Sequence, residues 1–388
     1  MSIKPLSKGQ EEFCQALQSR DYDIVGVFGP TGSGKSLISI AYGIEAVKNG
    51  EYTRFIISRP VVDIVTGKEI STVEAGSLYY ELASNYLRDV TEGVIEWEEV
   101  KKLIDDGKVV FADTHYLRGR TFDKSIILVD DAQALPPESS LEILMRIGRD
   151  SKMIVAGDPI FQKPLGVEVD GASLLREILL GEEKAKVIDL GLKDIIRPGA
   201  KRGIRLLLEA RMRKRQLNDV EAKIMDLMRV HAPDADVITV IELVKDKEKW
   251  GITSEHTPDA LIIVKEGSIG RAVGKGGERI QKVEEEAQMR LRVIEMTLNF
   301  NEVIRAIHPV SWIYKHVVDA DFRGPDLVFT VNEENFGPFV GQRGFHIKFI
   351  DGVFKRLIGV GARAAMVGEE GGGEEERKPL RRKRKAAA

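Results

Sequence analysis

Eight consecutive residues, Gly29-Pro30-Thr31-Gly32-Ser33-Gly34-Lys35-Ser36, fit the pattern G-x-x-x-x-G-K-[ST]. An apolar run at 24–28 precedes them, and a helical pattern at 35–48, stopped by Asn49-Gly50, follows. That strand–loop–helix setting separates a phosphate cradle from a chance glycine turn. Glycines let backbone N–H groups converge on a phosphate, and the helix N-terminus adds the positive end of its dipole. Lys35 then reaches the outer phosphates of a nucleoside triphosphate, and the Ser36 hydroxyl ligates Mg²⁺. A second apolar run, Ile126-Ile127-Leu128-Val129, delivers Asp130 and Asp131 at its carboxyl end, where ligands of α/β sheets bind. Asp130 suits holding Mg²⁺ through water, and Asp131 suits orienting or deprotonating an attacking water. An acidic pair after a strand is by itself as often a solvated strand end. The cradle beside it decides for chemistry.

Two further glycine loops stand in the second half of the chain. Gly274-Lys275-Gly276-Gly277 and Gly341-Gln342-Arg343-Gly344 are separated by 67 residues, the length of one small domain. Each sits in the same place of a repeated order, α-β-β-α-α-β. In the first copy Asn218 and Glu221 form a capping-box pattern, with strands at 237–244 and 261–264, a helix from Glu278 and a strand at 291–294. The second copy has a helix at 302–307, strands at 312–318 and 327–331, a helix at 345–357 and a strand near 362–367. Small residues at such a loop let a nucleic-acid backbone approach closely, with N–H groups and Lys275 taking phosphates. Ile269, Val273 and Ile280 are candidates for an apolar shelf facing unstacked bases. Phe336, Phe339 and Phe345 crowd the second loop, where core packing is favoured over base stacking.

The elements that must position these residues follow from the pattern. Strand-like runs at 24–28, 55–58, 109–112, 126–129, 153–156 and 187–190 alternate with helical ones, which reads as a parallel sheet covered by helices. The reading is α/β, a P-loop domain at 1–199, then a basic linker helix at 200–216. Two small α+β domains follow at 217–298 and 299–367, and a charged, disordered tail at 368–388. Composition agrees with a globular chain: 388 residues, 43% hydrophobic and 31% charged. No apolar run approaches the roughly 18 residues a bilayer span needs, so no membrane partner is expected. The first residues lack the apolar centre of a secretory signal. The single cysteine, Cys14, fits a reducing compartment, and the six scattered histidines have no metal-ligand spacing. The net charge of −3 hides eight basic residues and one acid between Arg197 and Arg215. The tail turns from acidic to basic in RKPLRRKRK, which suits either nonspecific phosphate affinity or plain solvation.

The stretch RGRTFDKSIILVDDAQ, followed by LMRIGRDSKMIVAGDP, resembles the PhoH-like family of P-loop ATPases over roughly residues 5–200. The resemblance implies a RecA-like fold, ATP and Mg²⁺. It places Arg118, Gly119, Arg120 and Thr121 in the motif before the acidic pair. Gly157 and Asp158 fall in a motif linking nucleotide state to substrate, with Gln162 as a γ-phosphate sensor. Gln10 resembles the glutamine that reads adenine, Arg59-Pro60 the motif after the second strand, and Asp194 with Arg197 the later Asp-x-x-Arg motif. The chain departs from the family in three ways: Asp131 stands where Glu is usual, Ala134 where Asn is common, and Gln162 lies one residue further along. Asp131 is one methylene shorter than Glu, which sets its carboxylate back about 1.5 Å and bears on turnover.

The segment KEGSIGRAVGKGGERIQKVEEE resembles a type II KH domain, closest to the tandem KH modules of NusA-like proteins. The two resemblances together imply a cytoplasmic, RNA-stimulated ATPase acting on single-stranded RNA as a helicase or remodelling enzyme. They also imply a homo-oligomer, possibly a hexameric ring, with Arg118, Arg120 or Arg197 completing the transition state. An ATP-gated RNA clamp or chaperone, hydrolysing slowly and unwinding nothing, is the alternative. A small-molecule kinase would not carry the repeat. No stretch is left over for a fused nuclease domain, so no RNA cleavage is expected.

Overall fold

A computed structural model describes residues 3–61, 70, 73, 76–114, 119–162 and 169–368. Arg118 and residues 369–388 of the charged tail lie outside the described residues. Ser7 caps the first helix, α1 (Lys8–Gln18), by accepting from the Gln10 N–H, and α1 turns Phe13 and Leu17 inward. Then come β1 (Ile24–Phe28), α2 (Lys35–Lys48), β2 (Arg54–Ser58), α3 (Ser77–Thr91), α4 (Trp97–Asp105), β3 (Val109–Phe111), β4 (Ser125–Val129), α5 (Pro137–Leu144), β5 (Lys152–Gly157), α6 (Gly171–Leu180) and β6 (Ala185–Asp189). The strands pair in parallel in the order β3-β2-β4-β5-β1-β6. This is a RecA-like P-loop NTPase fold. Every residue of β4 and β5 is buried, as expected of strands covered on both faces.

The strand order positions the site. β5 lies between β1 and β4, so its carboxyl end separates the loop after β1 from the acids after β4. β2 flanks β4 on the other side, and β6 flanks β1. Residues following five strands therefore meet at one end of the sheet, where α/β folds bind ligands.

The linker α7 (Pro198–Arg213) begins with proline, whose fixed φ and missing N–H suit a first helical turn. Beyond it lies a unit of α8 (Asp219–His231), β7 (Val237–Glu242), α9 (Val244–Trp250), β8 (Ala260–Val264), α10 (Ile269–Val273), α11 (Glu278–Ala287) and β9 (Leu291–Glu295). The next unit comprises α12 (Asn301–Ile307), β10 (Val317–Arg323), β11 (Asp326–Val331), α13 (Glu333–Val340), α14 (Phe345–Ile358) and β12 (Gly361–Met366). Each has a three-stranded sheet, with the first strand antiparallel and the third parallel to the second. The capping box at Asn218 and Glu221 forms as expected.

Two sequence expectations are corrected. The run 237–244 ends as a strand at Glu242 and turns into α9, because Val244 to Trp250 carries charges at helical spacing. The run 312–318 opens as a tight helical turn, Ile313–His316, which drops Ile313 into the core while Asn301 donates to the Tyr314 carbonyl.

One apolar core runs without interruption from Ile160 and Phe161 after β5, through Leu192 and Ile195, along Ile204, Leu208 and Met212 of α7, into both C-terminal units. Phe161 packs edge-on against Phe322 of β10, with ring centroids 5.2 Å apart. Arg211 of α7 spans the junction, donating to the carbonyls of Ile160 (2.9 Å) and Ile358 (3.3 Å). Among the described residues no helix is long and apolar enough to cross a membrane.

Candidate functional site

The loop after β1 wraps the N-terminus of α2, whose cap is Gly34 in the left-handed region. Gly29 has φ 155°, and a Cβ there would lie 2.3 Å from the Leu190 carbonyl oxygen, so only glycine fits between β1 and the turn after β6. Ser33 donates to the Pro30 carbonyl at 2.7 Å and closes the loop on itself. Lys35 is buried, and its ammonium bridges the carbonyls of Gly29 (2.7 Å) and Pro30 (2.9 Å). Burial lowers its pKa, and the carboxylates of Asp158, Asp130 and Asp131 pull it back up.

Ser36 donates to Asp130 Oδ1 at 3.1 Å, and the Tyr86 hydroxyl of α3 donates to Asp130 Oδ2. Burial first, and the charge of Asp131 second, raise the Asp130 pKa; its bonds from Tyr86 and Ser36 oppose them. A hydroxyl and a carboxylate side by side next to the phosphate loop are hard oxygen donors. They fit Mg²⁺, which takes one or two carboxylates plus substrate phosphates.

Asp131 sits at φ 52°, ψ 42°, a left-handed conformation costly for a residue with a Cβ. Its carboxylate is held on both oxygens. Arg59, at the end of β2, donates through Nε to Oδ2 at 2.6 Å, and Gln133 donates to Oδ1 at 3.1 Å. Arg59 in turn stacks 4.0 Å from the centre of the Tyr86 ring. The Gln133 amide also donates to Gln162 Oε1 (3.0 Å) and accepts from the Asp158 N–H (2.9 Å). Asp158 is buried, and its Oδ1 accepts from the N–H groups of Ile160 and Phe161. Lys35, Ser36, Asp130, Asp131, Gln162 and the Gly157-Asp158 pair are thus brought together.

Arg197 joins them at the start of α7: a Cβ on Gly32 would lie 3.5 Å from Arg197 Nε, and the Ile196 N–H donates to the Gly32 carbonyl. Arg120 is not brought in. It stacks on Phe122, ahead of the amino end of β4, whereas Asp130 follows its carboxyl end. The Gln10 amide is taken up by the chain itself. It accepts from the Leu6 N–H and donates to the carbonyls of Ser33 (2.9 Å) and Asp194 (3.5 Å), tying α1 to the phosphate loop. Asp194 accepts from Ser7 Oγ and the Gly191 N–H.

Sequence reasoning gave no role to three of the participants. Gln133 stands inside the DDAQ motif, and Arg59 inside the Arg-Pro motif, so both were within reach. Tyr86 had no signal: nothing in its helix marks one tyrosine among several as facing Asp130.

The two C-terminal loops match torsion for torsion. Gly274 (78°, 174°) pairs with Gly341 (74°, 170°), Gly276 (65°, 14°) with Arg343 (53°, 23°), and Gly277 (88°, 5°) with Gly344 (74°, 21°). Side chains five residues after the first glycine, Arg279 and His346, lie beneath each loop and bond the equivalent carbonyls of Arg271 and Pro338. Lys275, Gln342 and Arg343 are exposed, and Gly276 and Gly277 face open space. Ile269 is exposed, while Val273 and Ile280 are half-buried. Phe339 is fully buried against His308 and Phe329, so it packs.

A family model described as PhoH-like protein matches residues 2–209, more than half of the chain, and one described as KH domain matches 238–318. A PhoH-like protein of Bacillus subtilis (strain 168) is 32% identical over 200 residues, which make up 50% of this chain and 60% of that protein. A PhoH-like protein of Synechocystis is 30% identical over 192 residues, 48% of this chain and 56% of that one. The chain thus spans less than two thirds of the length of these relatives. Among solved structures, a Pif1 helicase from Candida albicans aligns with 67% of this chain and 63% of its own, at 12% identity and a TM-score of 0.27. That likeness is slight.

Proposed function

Because the chain belongs to the PhoH-like family and carries a KH domain, we propose that it is an ATPase coupled to single-stranded RNA, working as an RNA-stimulated helicase or remodelling enzyme. One observation carries the reading. The hydrogen-bond chain from Asp131 through Gln133 to Gln162 and the Asp158 N–H makes the water-facing carboxylate depend on a loop. The next residues of that loop, Ile160 and Phe161, lie in the core shared with the C-terminal units.

ATP is bound by the backbone N–H groups of Gly29, Thr31, Gly32, Ser33 and Gly34, with Pro30 shaping the turn and Lys35 leaving its two carbonyls for the β- and γ-phosphates. Ser36 and Asp130 hold Mg²⁺, which neutralises charge on the phosphates when bound. Asp131, fixed by Arg59 and Gln133, orients the attacking water and accepts its proton, and Gln162 reads the γ-phosphate. Arg197 is the transition-state cation supplied within the chain. In the expected homo-oligomer, a hexameric ring, Arg120 faces a neighbouring copy. Gln10 contributes to the adenine end by fixing the loop it is bonded to. RNA is clamped by Gly274, Lys275, Gly276 and Gly277, and by Gly341, Gln342, Arg343 and Gly344 in a second KH domain of the tandem. The setting is cytoplasmic.

Phosphate release with and without single-stranded RNA tests this. RNA raises the rate at least about threefold in the wild type, roughly 0.7 kcal/mol of barrier. Lys35→Ala falls to background. Asp131→Asn loses about 100-fold in kcat with KM nearly unchanged, as expected of a group acting only in the transition state. A rate that RNA leaves unchanged overturns RNA stimulation and favours the ATP-gated clamp or chaperone.

A further inference from the structure

Arg211 stands where the P-loop domain meets the second C-terminal unit. Its guanidinium makes two bonds, both to carbonyls: Nη2 donates to Ile160 (2.9 Å) and Nη1 to Ile358 (3.3 Å). Ile160 belongs to the turn after β5, and its peptide is held from both sides. Asp158 Oδ1 accepts from the Ile160 N–H at 3.1 Å, and the Ile160 carbonyl accepts from Arg211. Through the Asp158 N–H that turn reaches Gln133, and through Gln133 it reaches Asp131. Ile358 is the last residue of α14, and its carbonyl is among the final four that a helix leaves without an internal partner.

The opposite end of α14 is the second glycine loop. Gly344 caps the helix, and its 14 residues span about 20 Å from that loop to Arg211. Phe349, Val353, Phe354 and Leu357 are buried in the shared core, so the helix moves as one body. An anion at its first turn and a cation at its last both complement its dipole. The Asp158 turn offers Arg211 a second destination. Asp158 Oδ2 is buried and has no hydrogen-bond partner among the described residues. Burial lowers the Arg211 pKa, and the charge of Asp158 works against it, so the two groups feel each other. A guanidinium that can keep Ile358 or turn to Asp158 has two discrete arrangements, which is what coupling between distant sites requires.

We infer that Arg211 is a positioning residue that couples the Gly341–Gly344 loop to the Asp158 turn, and through that turn to the Asp131 carboxylate. A phosphate held at the start of α14 shifts the helix, Arg211 follows the Ile358 carbonyl, and the Ile160 peptide moves with it. Arg211 acts only through other residues, since both its bonds stay inside the chain. The inference rests on the RNA-binding reading above and deepens it by naming the strut between RNA and nucleotide.

Binding linkage tests it, read by fluorescence anisotropy of a labelled uridine oligomer on the full chain. In the wild type a non-hydrolysable ATP analogue with Mg²⁺ changes RNA affinity at least about fivefold. In Arg211→Met that factor falls to about one, while RNA affinity without nucleotide and phosphate release without RNA stay within about twofold of wild type. Should Arg211→Met melt below the assay temperature, Arg211→Lys, whose compact ammonium lacks the fork, carries the same expectation. Arg356→Met, on the same helix, loses its bonds to Glu221 and Asp246 and keeps the wild-type factor. If it too falls to one, a loosened junction explains the loss and the role of Arg211 is overturned. Gln342→Asp/Arg343→Asp also brings the factor to about one; a retained factor places the coupling elsewhere and overturns the inference. So does a wild-type factor in Arg211→Met, with the proposed function left standing. A wild type that neither binds the oligomer nor responds to it in phosphate release overturns the RNA reading itself.

Discussion

The two C-terminal units share a backbone down to its irregularities. Their glycine loops have the same torsions, and both first strands carry a register shift, between Val237 and Thr239 in one and Val317 and Asp319 in the other. Their surroundings differ sharply. Two residues past the shift the first unit has Ile241, which packs against α7 and its neighbours in the shared core. The second has Asp321, a buried carboxylate that accepts from the N–H groups of Leu192 (2.6 Å), Lys193 (3.1 Å) and Phe322 (2.7 Å). Leu192 and Lys193 belong to the turn after β6 that also holds Asp194 and Arg197. The turn between β10 and β11 meanwhile rests on the Arg176 guanidinium, itself bidentate to Asp189. One unit meets the P-loop domain through a helix. The other is fastened directly to the turn beside the phosphate loop. Duplicated folds can therefore divide their labour by a few side chains, because backbone shape fixes what a unit is and single residues fix where it docks.

Exchanging those side chains tests the comparison. Asp321→Ile installs the first unit's residue and removes the carboxylate that accepts from three N–H groups, two of these bonds buried and the one from Lys193 partly so. It costs about 3 to 5 kcal/mol in denaturant unfolding. If it is neutral, the attachment is not made by Asp321.

His308 offers the next largest effect. It follows Ile304 by four residues, as Met228 follows Ile224, and both are fully buried. His308 accepts from the Val310 N–H and donates to the Phe339 carbonyl, and burial lowers its pKa to about 4. The unfolded chain, with pKa about 6.5, binds a proton where the folded chain does not. Stability is therefore complete above about pH 6.5 and lost as pH falls toward 4, by up to about 3 kcal/mol. Hydrogen exchange should show α12–α13 opening in that window, and His308→Met should abolish the pH dependence.

The smallest effect is at Arg343, which holds the left-handed angle that Gly276 holds in the first loop. Arg343→Gly relieves about 1 kcal/mol of strain and gives part of it back in unfolded-chain entropy, for a net gain near 0.5 kcal/mol. A loss in chemical denaturation would mean that the Arg343 side chain contributes more than its backbone costs.

The parallel sheet and its phosphate loop were legible because each rests on local sequence: uninterrupted apolar strands and a motif in its strand–helix setting. The acidic pair was legible for the same reason. The Gln133 relay, the Arg59 clamp on Asp131 and the Tyr86 bond to Asp130 depend on which strands are neighbours, and strand order is not written along the chain. Asp321 is the extreme case. It lies 128 residues from Lys193 and reads, in its strand, as an ordinary surface acid. A hint was available in the first unit, where β7 and β8 are apolar without alternation and so need cover on both faces.

The uninterrupted core has a practical consequence for dividing the chain. A fragment ending after the sheet would bare Ile160, Phe161, Leu192 and Ile195 to water, a sticky patch right beside Asp158 and Arg197. Such a fragment would aggregate, and any nucleotide binding measured on it would describe a damaged protein.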